Sequence, residues 1–207
     1  MRGLMQDWPL RVSRIIDHAA KYHAQRPVIC RTVEGPIARS TWAEVRGRAL
    51  KLAQAMVRLG VRPGDMIGCM AWNTIRHMEV WYGVPGAGGV LHSLNPRLSA
   101  EQLTYIINHA EDRLIFVDTT FMPLLEGIWP QLKTIELVVV MTDAAHMPET
   151  SLPAVPYEEW LAEVDGDFFW KALDERAAAG MCYTSGTTGN PKGVVYSHRS
   201  NVLHAMS

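Results

Sequence analysis

The chain has 207 residues, 48% of them hydrophobic and 20% charged, which suits one large or two small domains with a sizeable core. Its 20 basic residues nearly balance its 21 acidic ones, for a net charge of −1. No charged block is long enough for a nucleic-acid arm or an acidic tail, and no run of about 18 apolar residues predicts a membrane span.

The N-terminal stretch MRGLMQDWPLRVSRIIDHAAKYH is broken by charges and by Pro9. It lacks the apolar core of a targeting signal, so a cytoplasmic location is expected. Cys30, Cys69 and Cys182 sit in separate apolar runs with no CxxC pair, which reads as reduced core thiols.

In chain order, Pro27 to Thr32 (PVICRT) has the length of a strand. Thr41-Trp42-Ala43-Glu44 reads as a capping box, the Thr hydroxyl accepting from the Glu amide while Glu reaches back. Val45, Ala49, Leu52, Ala53, Met56 and Val57 follow at helical spacing, and Gly60 is placed to end that helix in a left-handed conformation. Gly64 to Ala71 is the next strand. Asn73 is the expected cap of a helix running toward Tyr82. Gly88 to Leu94 hardly alternates and reads as a buried strand. Ser99 and Gln102 form a second capping box ahead of Leu103, Ile106, Ile107 and Ala110, which share one helix face. Arg113 to Asp118 and Glu136 to Met141 are two further short apolar strands, with a helical stretch between them.

Residues Thr142 to Pro156 carry Pro148, Pro153 and Pro156 among polar residues. They read as a surface loop and a candidate subdomain boundary. A short helix, Tyr157 to Val164, follows. No internal repeat interrupts the alternation, which predicts an α/β fold with largely parallel sheets covered by helices on both faces.

The stretch of greatest chemical interest is YTSGTTGNPKGVVYSHR, Tyr183 to Arg199. Within it, YTSGTTGNPKG has an apolar entry, Gly180 to Tyr183, and an apolar exit, Val194 to Tyr196, so it predicts a loop between two strands. Gly186 and Gly189 permit positive φ and close approach of the backbone to a ligand. Successive amides in such a turn form an anion-binding nest. Thr184, Ser185, Thr187 and Thr188 add hydroxyls, and Lys192 adds a mobile positive charge, a set that suits a polyphosphate. It is not a Walker A loop, because Gly193 follows Lys192 and Pro191 disfavours a helix start there. The Rossmann glycine pattern is absent too. Stretches rich in Gly, Ser and Thr are commonly plain turns. The added Asn-Pro-Lys-Gly, apolar strand and Ser-His-Arg set this one apart.

Outside the loop, His77, His92, His109, His198 and His204 lack metal-ligand spacing and read as structural, His198 alone being close enough in sequence to help shape a nucleotide site. Trp72, Trp81 and Trp129 read as core or interface anchors. Pro96 and Arg97 are expected to order a loop beside the sheet.

YTSGTTGNPKGVVYSHR resembles the phosphate-loop motif of adenylate-forming enzymes: acyl-CoA synthetases, luciferases and nonribosomal peptide adenylation domains. Upstream, WNTIRHMEVWYGVPGAGGVLHSLNPRLSAEQLTYIINHAED, GVRPGDMIG and LKTIELVVVM resemble the branch of fatty-acyl-CoA synthetases and methylmercaptopropionate-CoA ligases. The resemblance implies the N-terminal portion of the large domain of such an enzyme over residues 1–207. Its downstream motifs and mobile C-terminal domain are absent from this chain, whose final residues, SHRSNVLHAMS, read as a helix with Val202, Leu203 and Met206 on its apolar side, cut short.

What the resemblance implies chemically is a two-step ligase. A carboxylate attacks the α-phosphorus of ATP to give an acyl-adenylate and pyrophosphate, and the thiol of coenzyme A then displaces AMP. Carried over by similarity, Thr184, Ser185, Gly186, Thr187, Thr188, Gly189 and Lys192 are expected ATP contacts, and Thr184 an expected Mg²⁺ ligand. The expected partners are therefore a small carboxylic acid, ATP and CoA, with no nucleic acid. A homodimer formed through the N-terminal domain is known in similar enzymes. Alone, the 207 residues are expected to be inactive. The competing readings are a truncated, non-catalytic nucleotide-binding or interaction module and an adenylating enzyme that loads a carrier protein.

Overall fold

The computed structural model describes the whole chain except Arg2, Gln6 and residues 185–189. Nine strands and seven α-helices are present among the described residues. β1 (Pro27–Arg31) and β2 (Ile37–Thr41) form an antiparallel hairpin of their own. The other strands are β3 (Met66–Met70), β4 (Val90–Ser93), β5 (Leu114–Val117), β6 (Leu137–Val140), β7 (Ala154–Pro156), β8 (Ala178–Thr184) and β9 (Lys192–Ser197). They make one sheet in the order β7-β6-β5-β3-β4-β8-β9, parallel throughout except for the β8–β9 pair.

From β3 the chain steps to β4 on one side, then returns across β3 to β5 and continues outward to β6 and β7. Right-handed crossovers then require helices on opposite faces for the two directions of travel. The side chains bear this out. Ile67, Cys69, Leu114, Phe116, Val139 and Met141 pack with α2 (Trp42–Arg58), α3 (Ile75–Ala87) and α6 (Tyr157–Ala162). Their immediate neighbours Met70, Ile115, Val117, Val138 and Val140 pack with α4 (Ala100–Ala110) and α5 (Met122–Ile128) on the other face. A strand buried on both sides has no polar face, which is why these segments read as unbroken apolar runs.

Both expected capping boxes form. Thr41 Oγ1 accepts from Glu44 N at 3.3 Å while the Glu44 carboxylate accepts from Thr41 N at 2.8 Å, and Ser99 with Gln102 does the same at the head of α4. Beyond the end of α2, Gly60 takes the expected left-handed conformation. Asn95 orders the loop containing Pro96 and Arg97, its side-chain oxygen accepting from Arg97 N at 3.0 Å.

Several expectations are corrected. Thr74, not Asn73, caps α3, its side chain accepting from His77 N. That helix continues past Tyr82 to Ala87 because Gly83 meets α2 closely: a Cβ there would stand 2.6 Å from Leu52 Cδ2. Close helix packing outweighs the weak helical propensity of Gly83, Pro85 and Gly86. α1 (Ser13–Tyr22) carried no start signal in the sequence, since its N-cap is Val12 and no side chain caps it. β7 emerges from the proline-rich segment 142–156 and pairs with β6. As an edge strand it tolerates Pro156, whose missing N–H would break an interior ladder. Trp72 and Trp81 are 50% and 38% exposed, which removes the core half of their core-or-interface expectation, whereas Trp129 packs against the α4–α5 side of the core. In α7 (His198–Met206) Val202 is buried, but Leu203 and Met206 are exposed rather than packed.

Candidate functional site

The glycine-rich segment joins β8 to β9. These strands pair in antiparallel register from Ala178↔Ser197 at one end to Thr184↔Lys192 at the other. Because β8 runs parallel to β4, Thr184 emerges at the carboxyl edge of the parallel strands, the edge at which open α/β sheets take their ligands. Thr184 and Lys192 are both exposed. As direct cross-strand partners they present their side chains on the same face. A hydroxyl and an ammonium group thus stand side by side at the neck of the loop. Ser185, Gly186, Thr187, Thr188 and Gly189 lie outside the described residues.

The opposite face of the neck belongs to Tyr183 and its partner Gly193. A Cβ on Gly193 would lie 3.2 Å from Tyr183 Cζ and 3.3 Å from Met181 Sδ. The glycine that distinguishes this motif from a Walker A loop therefore leaves room for the tyrosine ring. Such aromatic cover of a cross-strand glycine is a recognised way of stabilising a strand pair.

Around Tyr183 lies a polar cluster that the motif did not announce. Tyr183 Oη is 2.6 Å from His109 Nδ1 on α4, and His109 stacks on Tyr105 with ring centroids 5.2 Å apart. The Tyr183 ring is also 5.2 Å from that of His92. His92 Nδ1 lies 2.7 Å from Asp112 Oδ2, both side chains being fully buried. Burial pushes the Asp112 carboxyl above its usual range, against the opposing pull of His92. The spacing of Tyr105 and His109, one helical turn apart, was the only sequence signal for this cluster.

His198 does not join the site. Ser197 pairs with Ala178 at the far end of the hairpin, and the six steps from Ala178 to Thr184 span about 20 Å at about 3.3 Å per residue. His198 is buried, and its Nδ1 accepts from Val12 N at 3.3 Å. Burial, with Arg11 nearby, holds its pKa down to about 4. His204 is exposed on α7, and His77 lies half-buried on α3.

Among the described residues no three His, Cys, Asp or Glu side chains converge to hold a metal ion. Thr184 offers one hard oxygen at the strand end. That fits Mg²⁺, which commonly takes few protein ligands and completes its shell with water and substrate phosphate.

A family described as AMP-binding enzyme matches residues 16–207. The chain belongs to this family. Among its relatives, the 3-methylmercaptopropionyl-CoA ligase of Ruegeria pomeroyi is 48% identical over 206 residues, 99% of this chain and 38% of the relative. The medium-chain-fatty-acid–CoA ligase of Ectopseudomonas oleovorans is 45% identical over the whole of this chain and 38% of its own length. The chain thus spans well under half the length of these curated relatives. Its fold is shared with the crystal structure of an anthranilate CoA ligase in complex with anthranoyl-AMP, at 22% identity, covering all of this chain and 38% of that one, with a TM-score of 0.86. No helix among the described residues is long and apolar enough to cross a membrane.

Proposed function

We propose that these residues form the N-terminal portion of the large domain of an ATP-dependent carboxylate–CoA ligase, and that the β8–β9 hairpin is its ATP phosphate grip. The observation that carries the reading is the pairing of Thr184 with Lys192 at the carboxyl edge of the sheet, bracketing the glycine- and hydroxyl-rich segment of an AMP-binding family member.

The chemistry asked of the grip is stabilisation of charge on the β- and γ-phosphates as pyrophosphate leaves. Preorganised amides, hydroxyls and an ammonium group supply that without reorganisation at the moment of reaction. Lys192 supplies the positive charge. Thr184, Ser185, Thr187 and Thr188 supply hydroxyls, and Gly186 and Gly189 allow the backbone to approach. Mg²⁺, when bound with ATP, would neutralise phosphate charge, with Thr184 the residue of this chain placed to contact it. The acyl-adenylate so formed is consumed by CoA, with release of AMP. Names of the relatives support a fatty acid or a methylthio-substituted propionate as the acid. We propose a cytoplasmic enzyme that dimerises through this domain.

Lys192→Ala in the complete enzyme tests the assignment. ATP–pyrophosphate exchange should fall roughly a hundredfold, the cost of losing one charged transition-state contact of about 3 kcal/mol, with the thermal midpoint unchanged. Exchange at the wild-type rate would overturn it.

A further inference from the structure

We infer that Tyr183 and His109 are positioning residues for the phosphate grip, their hydrogen bond mooring the neck of the β8–β9 hairpin to helix α4. The inference rests on the reading of Thr184 and Lys192 as ATP contacts.

Sheet register creates the need for a mooring. β8 pairs with β4 only from Gly180 to Cys182, opposite Leu91 to Ser93. Tyr183 and Thr184 extend beyond that pairing, and from there the neck has only β9 beside it. β9 is itself the edge of the sheet. A two-stranded hairpin without further support is marginal in water, so sheet pairing alone does not fix the direction in which Thr184 and Lys192 project.

Tyr183 ties the neck to the body of the protein. Its ring has a floor in Gly193 and Met181 and a neighbour in His92, which Asp112 holds in turn. Its hydroxyl then reaches His109 at 2.6 Å. α4 is a firm anchor, because Leu103, Ile106 and Ile107 on its inner face are buried in the core. His109 itself is exposed and is oriented by stacking on Tyr105. The hydroxyl is not required for packing, since phenylalanine would fill the same space. Its distinct contribution is the directional bond to α4. A phenol can donate to a neutral imidazole nitrogen or accept from a protonated one, so the mooring holds in either state of His109.

Positioning and packing separate in the kinetics of the complete enzyme. Tyr183→Phe and His109→Ala should each lower kcat/KM for ATP in pyrophosphate exchange by about tenfold. KM for the carboxylic acid and the thermal midpoint should stay at their wild-type values. The double variant should be no worse than either single one, as expected of two partners in one bond. His109→Gln, which restores a donor and an acceptor, should recover part of the loss. Wild-type kcat/KM for ATP in both single variants, or fully additive losses in the double variant, would overturn the mooring. Lys192→Ala measured alongside separates the two levels. If it is impaired while Tyr183→Phe and His109→Ala are not, the mooring alone fails. If Lys192→Ala exchanges normally, the phosphate grip fails and the mooring with it.

Discussion

Thr184 and Lys192 face one another as the last cross-strand pair of the β8–β9 hairpin, so a neutral hydroxyl and a full positive charge share one face of the same neck. The two groups are expected to contribute unequally to one site. A neutral hydrogen bond is worth about 1 kcal/mol net, whereas bonds to charged groups reach about 3 kcal/mol.

Thr184→Ala should therefore slow ATP–pyrophosphate exchange in the complete enzyme by about fivefold, well short of the loss for Lys192→Ala, and Thr184→Ser should recover it. If Thr184 contacts Mg²⁺, the variant should also need more Mg²⁺ for half-maximal exchange. A Mg²⁺ titration that superimposes on wild type removes the metal role and leaves the phosphate role standing.

A second prediction concerns the ion pairs that hold the β1–β2 hairpin and α6 to α3. Arg76 donates to Glu34 at 2.7 Å, to Glu158 at 2.8 Å and to the Met141 carbonyl at 2.8 Å. Its side chain is 17% exposed and that of Glu34 7%. Burial alone would raise the Glu34 carboxyl, but the Thr142 hydroxyl, its own backbone amide and Arg76 together hold its pKa down to about 2. Removing Arg76 leaves a buried carboxylate without its partner, a loss that costs about 3 kcal/mol or more. Arg46 pairs with Asp17 nearer the surface, at 37% and 25% exposure, where such pairs are worth about 1 kcal/mol or less. Arg76→Ala should accordingly lower the denaturant midpoint much further than Arg46→Ala. Equal losses would mean that Glu34 finds another partner.

How legible these features were depended on how local their causes are. The capping boxes at Thr41 and Ser99 are set within four residues, and both formed as read. Strands buried on both faces announce themselves as apolar runs, so β3, β4, β5 and β6 were visible. β7 was not, because its prolines read as a loop and only the sheet edge makes them acceptable. The extent of α3 was set by α2 through Gly83, which no local propensity encodes. At the site, the two strands that flank the glycine-rich segment were legible in the motif, and Thr184 and Lys192 stand at their ends. Tyr183, Gly193 and His109 did not stand out, since their relation joins α4 to β8 across 74 residues of chain. His198 misled for the complementary reason: it is near the loop in sequence and at the other end of the hairpin in space.

The last prediction pairs two buried groups whose titrations oppose each other. His198 is held from its ordinary 6.5 down to about 4 by burial and by Arg11. Between those values the unfolded chain binds a proton that the folded chain does not, so stability rises with pH across that window. The contribution is complete above 6.5 and is lost as pH falls to about 4. Asp118, which accepts from Trp72 N at 2.6 Å at the carboxyl ends of β3 and β5, behaves in the reverse sense. Burial raises it from 3.8 to about 6, against the Trp72 amide and Arg76. Here the folded chain binds the extra proton, so stability falls as pH rises from 3.8 to about 6. Each displacement corresponds to about 3 kcal/mol at about 1.4 kcal/mol per tenfold change, and the windows overlap between about 4 and 6. The two slopes should largely cancel in the wild type. Replacing either group uncovers the other. Relative to wild type, Asp118→Asn should gain stability progressively from pH 4 to 6, because the asparagine oxygen still accepts the Trp72 amide and carries no charge to bury. His198→Asn should lose its stabilising slope over pH 4 to 6.5. Urea unfolding at half-unit pH intervals reads both differences. A stability difference from wild type that stays flat across pH 4 to 6.5 in either variant would show that its group does not titrate differently in the folded and unfolded chains.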